Sequence, residues 1–203
     1  MSIINQVPDG KDPFSVCLIS TDCTTTSGIA HRVLEDNGHS DILLQYMENA
    51  LQRHHISPEA LQRHMDLIAS LKIEKLPIPR SPYPQTSKTQ KGNFAEVFLE
   101  EYLVSTTDME LPIYRLRYNT NPDQSMKGDD VLLFDLDSDP VRIIVGESKF
   151  RGIPDKQSVI DIVDGLVRSN KAGLPISLKF DAQRFLQENK PELGRKLQNC
   201  AVL

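Results

Sequence analysis

Two apolar runs, Val131 to Asp135 and Val141 to Lys149, flank the turn-forming tetrapeptide Asp137-Ser-Asp-Pro140, and this segment constrains the chain more than any other. It reads as a β-hairpin. Strand alternation puts Val131, Leu133 and Ile144 on one face and Leu132, Phe134, Ile143 and Val145 on the other. Both faces are apolar, as in a central strand pair buried on both sides, so the chain must cover each of them.

The second strand ends in Glu147-Ser148-Lys149, charged residues that such a strand carries only where they are exposed or used. Alternation projects Glu147 and Lys149 from one face and Ser148 from the other. A turn centred between Ser138 and Asp139 pairs residues whose numbers sum to 277, which sets Asp130 opposite Glu147. Opposed residues have Cβ atoms about 4.5 to 5.5 Å apart, close enough for two carboxylates to share a cation. Bare, they would repel; Mg²⁺ or Mn²⁺, hard cations that take oxygen ligands, would resolve the conflict. Lys149 could then orient a water or stabilise charge developing on a phosphate. A register shifted by one would put the two acids on opposite faces. Glu96, on a neighbouring helix, is a candidate fourth member. The structural alternative is a strand-end salt bridge of little energetic value. Asp9-Gly-Lys11 and Glu188-Asn-Lys190 share the spacing but lack the hairpin.

Around this hairpin the periodicities predict a strand at Phe14 to Ser20 and an amphipathic helix after Ser40. A second helix follows Ser57 and Pro58. Pro77, Pro79, Pro82 and Pro84 and the polar run to Gln90 read as a linker. Helical spacing returns at Asn93 to Leu103, period-two alternation at Tyr114 to Tyr118, and helical spacing again at Val159 to Val167 and, more weakly, Phe180 to Leu197. The expected class is α/β or α+β, with a central mixed sheet flanked by helices. An N-terminal strand and helical hairpin (1–76), the linker (77–90) and a main domain (91–203) would divide the chain.

Composition narrows the function. A net charge of −5 excludes coating of nucleic acid by bulk attraction, so any such contact must be local or shared with a partner. No run approaches the roughly 18 apolar residues of a spanning helix, and the N-terminus lacks a basic-then-apolar leader, so a cytoplasmic protein is expected. Cys17, Cys23 and Cys200 suit reduced thiols better than a disulfide framework or a zinc site. His31, His39, His54, His55 and His64 form no metal-binding spacing and read as solvated. Asp135, Asp137 and Asp139 lack the glycine and glutamate of a calcium loop.

Gly92-Asn-Phe-Ala-Glu96, Lys127-Gly-Asp-Asp130 and Gly146-Glu-Ser-Lys-Phe150 together resemble the PD-(D/E)xK nuclease superfamily, whose core is restriction-endonuclease-like. More narrowly they resemble the family containing HamA, the nuclease subunit of the Hachiman anti-phage defence system. The resemblance covers roughly residues 88 to 170. It implies Asp130 and Glu147 as metal ligands, Lys149 as the catalytic lysine, and Glu96 as the helix-borne acid. Asp129 is the lesser candidate of its pair. The resemblance further implies a Mg²⁺- or Mn²⁺-dependent DNA endonuclease restrained by a helicase partner. An RNase or repair nuclease of the same fold, and an inactive binding module, are the competing readings. Arg115 and Arg117 could contact phosphates or be solvated strand arginines.

Overall fold

The computed structural model describes residues 12–26, 28–71, 81–153, 155–187 and 190–200. Asp9-Gly-Lys11, the acid of Glu188-Asn-Lys190, the side chain of His64 and the linker prolines Pro77 and Pro79 lie outside the described residues. A short helix α1 (Pro13–Cys17), capped by Asp12, leads into an antiparallel pair, β1 (Leu18–Thr24) and β2 (Ala30–Asp36). Helices α2 (Ser40–His55), α3 (Pro58–Leu71) and α4 (Ser87–Thr106) follow. The central hairpin is β3 (Val131–Asp135) with β4 (Arg142–Gly146), and α5 (Lys156–Arg168), α6 (Leu174–Gln187) and α7 (Pro191–Cys200) complete the order. This is a mixed α+β chain. Among the described residues no helix is long and apolar enough to cross a membrane.

The hairpin register is as the turn implies: Val131 pairs with Gly146 and Asp135 with Arg142, every pair summing to 277. Ser138 closes the turn, its hydroxyl accepting from Arg142 N at 3.0 Å while its amide donates to the Asp135 carboxylate at 3.1 Å. Both hairpin faces are covered by helices. Leu132 and Phe134 pack with Leu178, Ala182 and Phe185 of α6 and Leu197 of α7. Val131, Leu133 and Ile144 pack with Leu103, and Leu99 lies beside them on α4. The expected single mixed sheet is not what forms: the described strands make two separate antiparallel pairs, with one bridge from Glu110 to Phe134.

Three elements differ from their sequence patterns. Tyr114 to Tyr118 alternates like a strand but folds as a 3-10 turn at Arg115–Tyr118, because Arg115 and its neighbour Leu116 are both buried. The N-terminal strand begins at Leu18, and Phe14 instead anchors α1 in a core, with edge-on rings of Tyr46, Phe98 and Tyr102 at 5.4 to 5.6 Å. Helix α4 starts six residues before Asn93, where the Thr86 hydroxyl accepts from Thr89 N and the Asp123 carboxylate accepts from Gln85 N at 2.6 Å. Helix α5 forms where expected, yet Val159, Val163 and Val167 on its apolar stripe stay exposed.

α4 is buried on polar as well as apolar positions, and α2 supplies the partners. His54, 1% exposed, points its Nδ1 at Glu100 (3.1 Å) and its Nε2 at Glu101 (2.7 Å). Both ring nitrogens face carboxyl oxygens, an arrangement that favours the imidazolium. Burial opposes that charge, but the two carboxylates outweigh it and raise the pKa of His54. Burial likewise pushes Glu101 up, and hydrogen bonds from His54 and Tyr46 together with Arg53 overcome it, holding Glu101 down at about 2. Neighbouring His55 is the opposite case: Nδ1 donates to Leu51 O at 2.8 Å and Nε2 accepts from Asn93 at 3.1 Å, leaving it neutral, its pKa lowered by burial. The reading of these two histidines as solvated is therefore corrected.

Breaking a buried charge pair typically costs about 3 to 5 kcal/mol, so His54→Ala should lower the urea unfolding free energy by roughly 3 kcal/mol. The His54 contribution is complete below its unfolded pKa near 6.5 and is lost as pH rises through its raised folded value. The Glu101 contribution is complete above its unfolded pKa of 4.5 and is lost as pH falls toward 2. The difference between wild type and variant should peak at about pH 5 to 6 and narrow on the alkaline side.

Candidate active site

Asp130 is delivered by a loop that a buried arginine holds. Arg115, 5% exposed, donates to the carbonyls of Asp129 and, at 2.9 Å, of Lys127. Between those carbonyls Gly128 has φ +114°, and a Cβ there would meet Arg115 Nη2 and Ser177 Oγ at 2.7 Å. Only glycine fits both the backbone and the space. Asp129 is buried beneath: its amide donates to Ser177 Oγ at 3.0 Å and its carboxylate accepts from Ser169 Oγ. Asp181 lies close by; burial, with Glu100 and Asp129 adding repulsion against the pull of Arg115, pushes its pKa up to about 7. Arg115 thus spends its charge inside the protein, which corrects its reading as a strand arginine that either contacts phosphate or is solvated. Arg117 donates to Arg53 O and stacks over Tyr114 at 4.2 Å.

The β ladder ends at Val131 and Gly146, so Asp130 and Glu147 stand one step beyond it and alternation no longer dictates their side chains. Asp130 Oδ2 accepts from Ser148 N at 2.8 Å and from Ser148 Oγ at 3.0 Å. Ser148, expected on the opposite face, therefore positions the carboxylate. Glu147 is paired with Lys149 and lies against α5, where a Cβ on Gly165 would be 3.1 Å from its carboxyl carbon. Asp130, Ser148 and Lys149 share a cleft of about 570 Å³ with Glu96 of α4; Glu147 borders it through Lys149 rather than lining it.

Glu96 is the electrostatically stressed member. Burial, followed by repulsion from Glu100 and Asp130 and then Glu147, raises its pKa well above the usual carboxylate range, with Arg115 only partly compensating. Its carboxyl makes no hydrogen bond or ion pair among the described residues. Carboxylate oxygens crowded in this way suit a hard divalent cation, whose charge would remove the repulsion. Among the described residues, as they lie, no three His, Cys, Asp or Glu side chains converge closely enough to hold an ion.

A second cavity, of about 400 Å³, lies between α2 and the start of α4. His55, Tyr83, Gln52, Gln90 and Asn93 line it, and Asn93 also borders the first cleft.

The family described as HamA matches residues 12–201. The chain belongs to the HamA family. It is 36% identical over 168 residues to the Hachiman protein HamA of Bacillus cereus, covering 81% of this chain and 60% of that protein. The chain thus spans about 60% of the length of this relative. The match reaches well beyond residues 88 to 170, taking in the histidine-bearing α2 as well as the hairpin.

Two outcomes test this geometry. A carboxylate whose folded pKa is raised destabilises the protein above its unfolded pKa of 4.5. Glu96→Gln should therefore raise the melting temperature at pH 7.5 in EDTA, by about 2 to 4 °C per kcal/mol relieved. In saturating Mn²⁺ the wild type should recover that difference. Gly128→Ala should displace the Asp130 loop, costing at least about 1 to 3 kcal/mol from backbone strain and overpacking; a melting temperature within 1 °C of wild type would contradict the clamp.

Proposed function

We propose that this chain is a metal-dependent nuclease of the PD-(D/E)xK kind, working as the DNA-cutting component of a Hachiman-type anti-phage system under the control of a helicase partner. The observation that carries the reading is the convergence of Glu96 from α4, Asp130 from the loop before β3, and Lys149 from the end of β4 on one cleft. The family membership and the name of the Bacillus cereus relative support the defence setting and the existence of a partner.

Asp130 and Glu96 in the cleft, with Glu147 beside it, would hold Mg²⁺ or Mn²⁺ once the ion drew them closer than they lie here. When bound, the cation supplies Lewis-acid polarisation of the scissile phosphate. The chain's own residues do the rest. Ser148 fixes Asp130 through its amide and hydroxyl. Lys149, paired with Glu147, would direct an N–H at a non-bridging phosphate oxygen or at the attacking water. Hydrolysis adds water across one P–O bond: the water oxygen goes to phosphorus, one proton stays with that oxygen or is lost to solvent, and the leaving ribose or deoxyribose oxygen takes the other. Nothing in this arrangement reads a base, so the same chemistry serves RNA, which makes substrate comparison part of the test.

Asp130→Asn and Glu147→Ala/Lys149→Ala should each lower cleavage by at least about a hundredfold in Mg²⁺ or Mn²⁺. The assay uses plasmid DNA, single-stranded DNA and RNA, with and without a candidate helicase. Cleavage that tracks RNA alone would replace the DNA assignment. Equal cutting by wild type and variants, or none by wild type with metal and partner, would leave a binding module as the better account.

A further inference from the structure

The charges of the cleft are sorted by depth. Glu96 and Asp130 are half-buried at its floor, whereas Lys88, Lys91, Lys149 and Arg151 are exposed around its mouth. Asp123, the remaining acid, is committed to the start of α4, accepting from Gln85 N at 2.6 Å and Thr86 N at 3.4 Å. Lys88 and Lys91 stand three residues apart on α4 and so lie side by side on its surface.

Among the described residues none of the three cations outside the catalytic group is held in a tight ion pair. Lys88 makes no ion pair among the described residues. Lys91 rests its ammonium over the Phe150 ring at 5.6 Å, which aims it across the cleft mouth without neutralising it. Arg151 donates from one Nη to its neighbour Phe150 O at 3.0 Å and reaches Asp161 only at 3.9 Å, with both side chains more than 40% exposed, a pair that solvent screens. In a chain of net charge −5 this is the local attraction that bulk charge does not provide.

We propose that Lys88, Lys91 and Arg151 form a phosphate track that holds the sugar–phosphate backbone of a nucleic-acid strand across the mouth of the cleft, along the first two turns of α4. The assignment of the ligand as nucleic acid rests on the nuclease reading; the residues that grip it do not belong to the catalytic group. Such contacts carry no sequence information, and they release counterions, so they set affinity and its salt dependence.

The test is fluorescence anisotropy of the full-length chain with labelled single-stranded and duplex DNA 20-mers, in EDTA to stop cleavage, across a salt series. Lys88→Gln/Lys91→Gln/Arg151→Gln should weaken binding at least tenfold at low salt and reduce the slope of log K against log salt by about 2 on single strands and about 3 on duplex. It should do so on unrelated sequences alike while keeping the wild-type urea midpoint. A charge-matched control, Lys156→Gln/Lys171→Gln/Lys179→Gln, changes exposed lysines that do not line the cleft and should keep most of the slope. Wild-type binding with an unchanged slope in the rim variant, or an equal loss in the control, overturns the track alone. No binding by the wild type to either DNA overturns the DNA-cutting reading and the track with it.

Discussion

Four consecutive residues, Val131 to Phe134, are fully or almost fully buried, and a strand buried on both faces needs something apolar above and below it. That demand organises the structure. On one side it brings down α4, whose Leu99 and Leu103 sit on Val131, Leu133 and Ile144; on the other it brings α6 and α7. α4 approaches so closely that a Cβ on Gly146 would stand 3.3 Å from Leu99 and 2.9 Å from Val131. Because the same helix carries Glu96, covering the hairpin also brings that acid to the end of the strands where Asp130 and Lys149 emerge.

Burying α4 has an electrostatic consequence, since the helix takes Glu96, Glu100 and Glu101 inward with it. Each finds a different solution. Glu101 is satisfied by His54, Tyr46 and Arg53. Glu100 shares His54 but keeps one oxygen without a partner, and its pKa is raised by burial despite that contact. Glu96 is left with the repulsion of its neighbours. This gradient along one helix, from compensated to uncompensated, separates an acid used for holding the fold from one available for chemistry.

The hairpin and its register were legible because two signals agreed there: a turn with one plausible centre and apolar alternation on both strands. Asp130, Lys149 and Glu96 follow from that register and from the helix before it. Ser148 did not, because alternation is a rule of the ladder and the ladder stops at Gly146. Tyr114 to Tyr118 misled because five residues of alternation cannot distinguish a strand from a turn whose arginine reaches inward for carbonyls. His54 left one trace in the sequence: adjacent acids at Glu100 and Glu101 within the otherwise apolar stretch Val97 to Val104 call for a cation from elsewhere if that stretch is buried. Which cation answers depends on tertiary packing, which local periodicity does not encode. Phe14, Met47 and Ala50, from the segment ahead of the linker, share a core with Val97 and Tyr102 of α4, a contact that local periodicity does not encode either.

Asn93 belongs to two walls at once. Its amide donates to His55 at the edge of the cavity between α2 and α4, and the same residue borders the cleft one turn before Glu96. A guest that occupied the His55 cavity and drew this amide toward itself would alter the wall facing the cleft, and a strand seated in the cleft would alter the wall facing the guest. Thermodynamic linkage makes any such influence reciprocal and equal in both directions. Asn93 is the residue through which the two hollows meet.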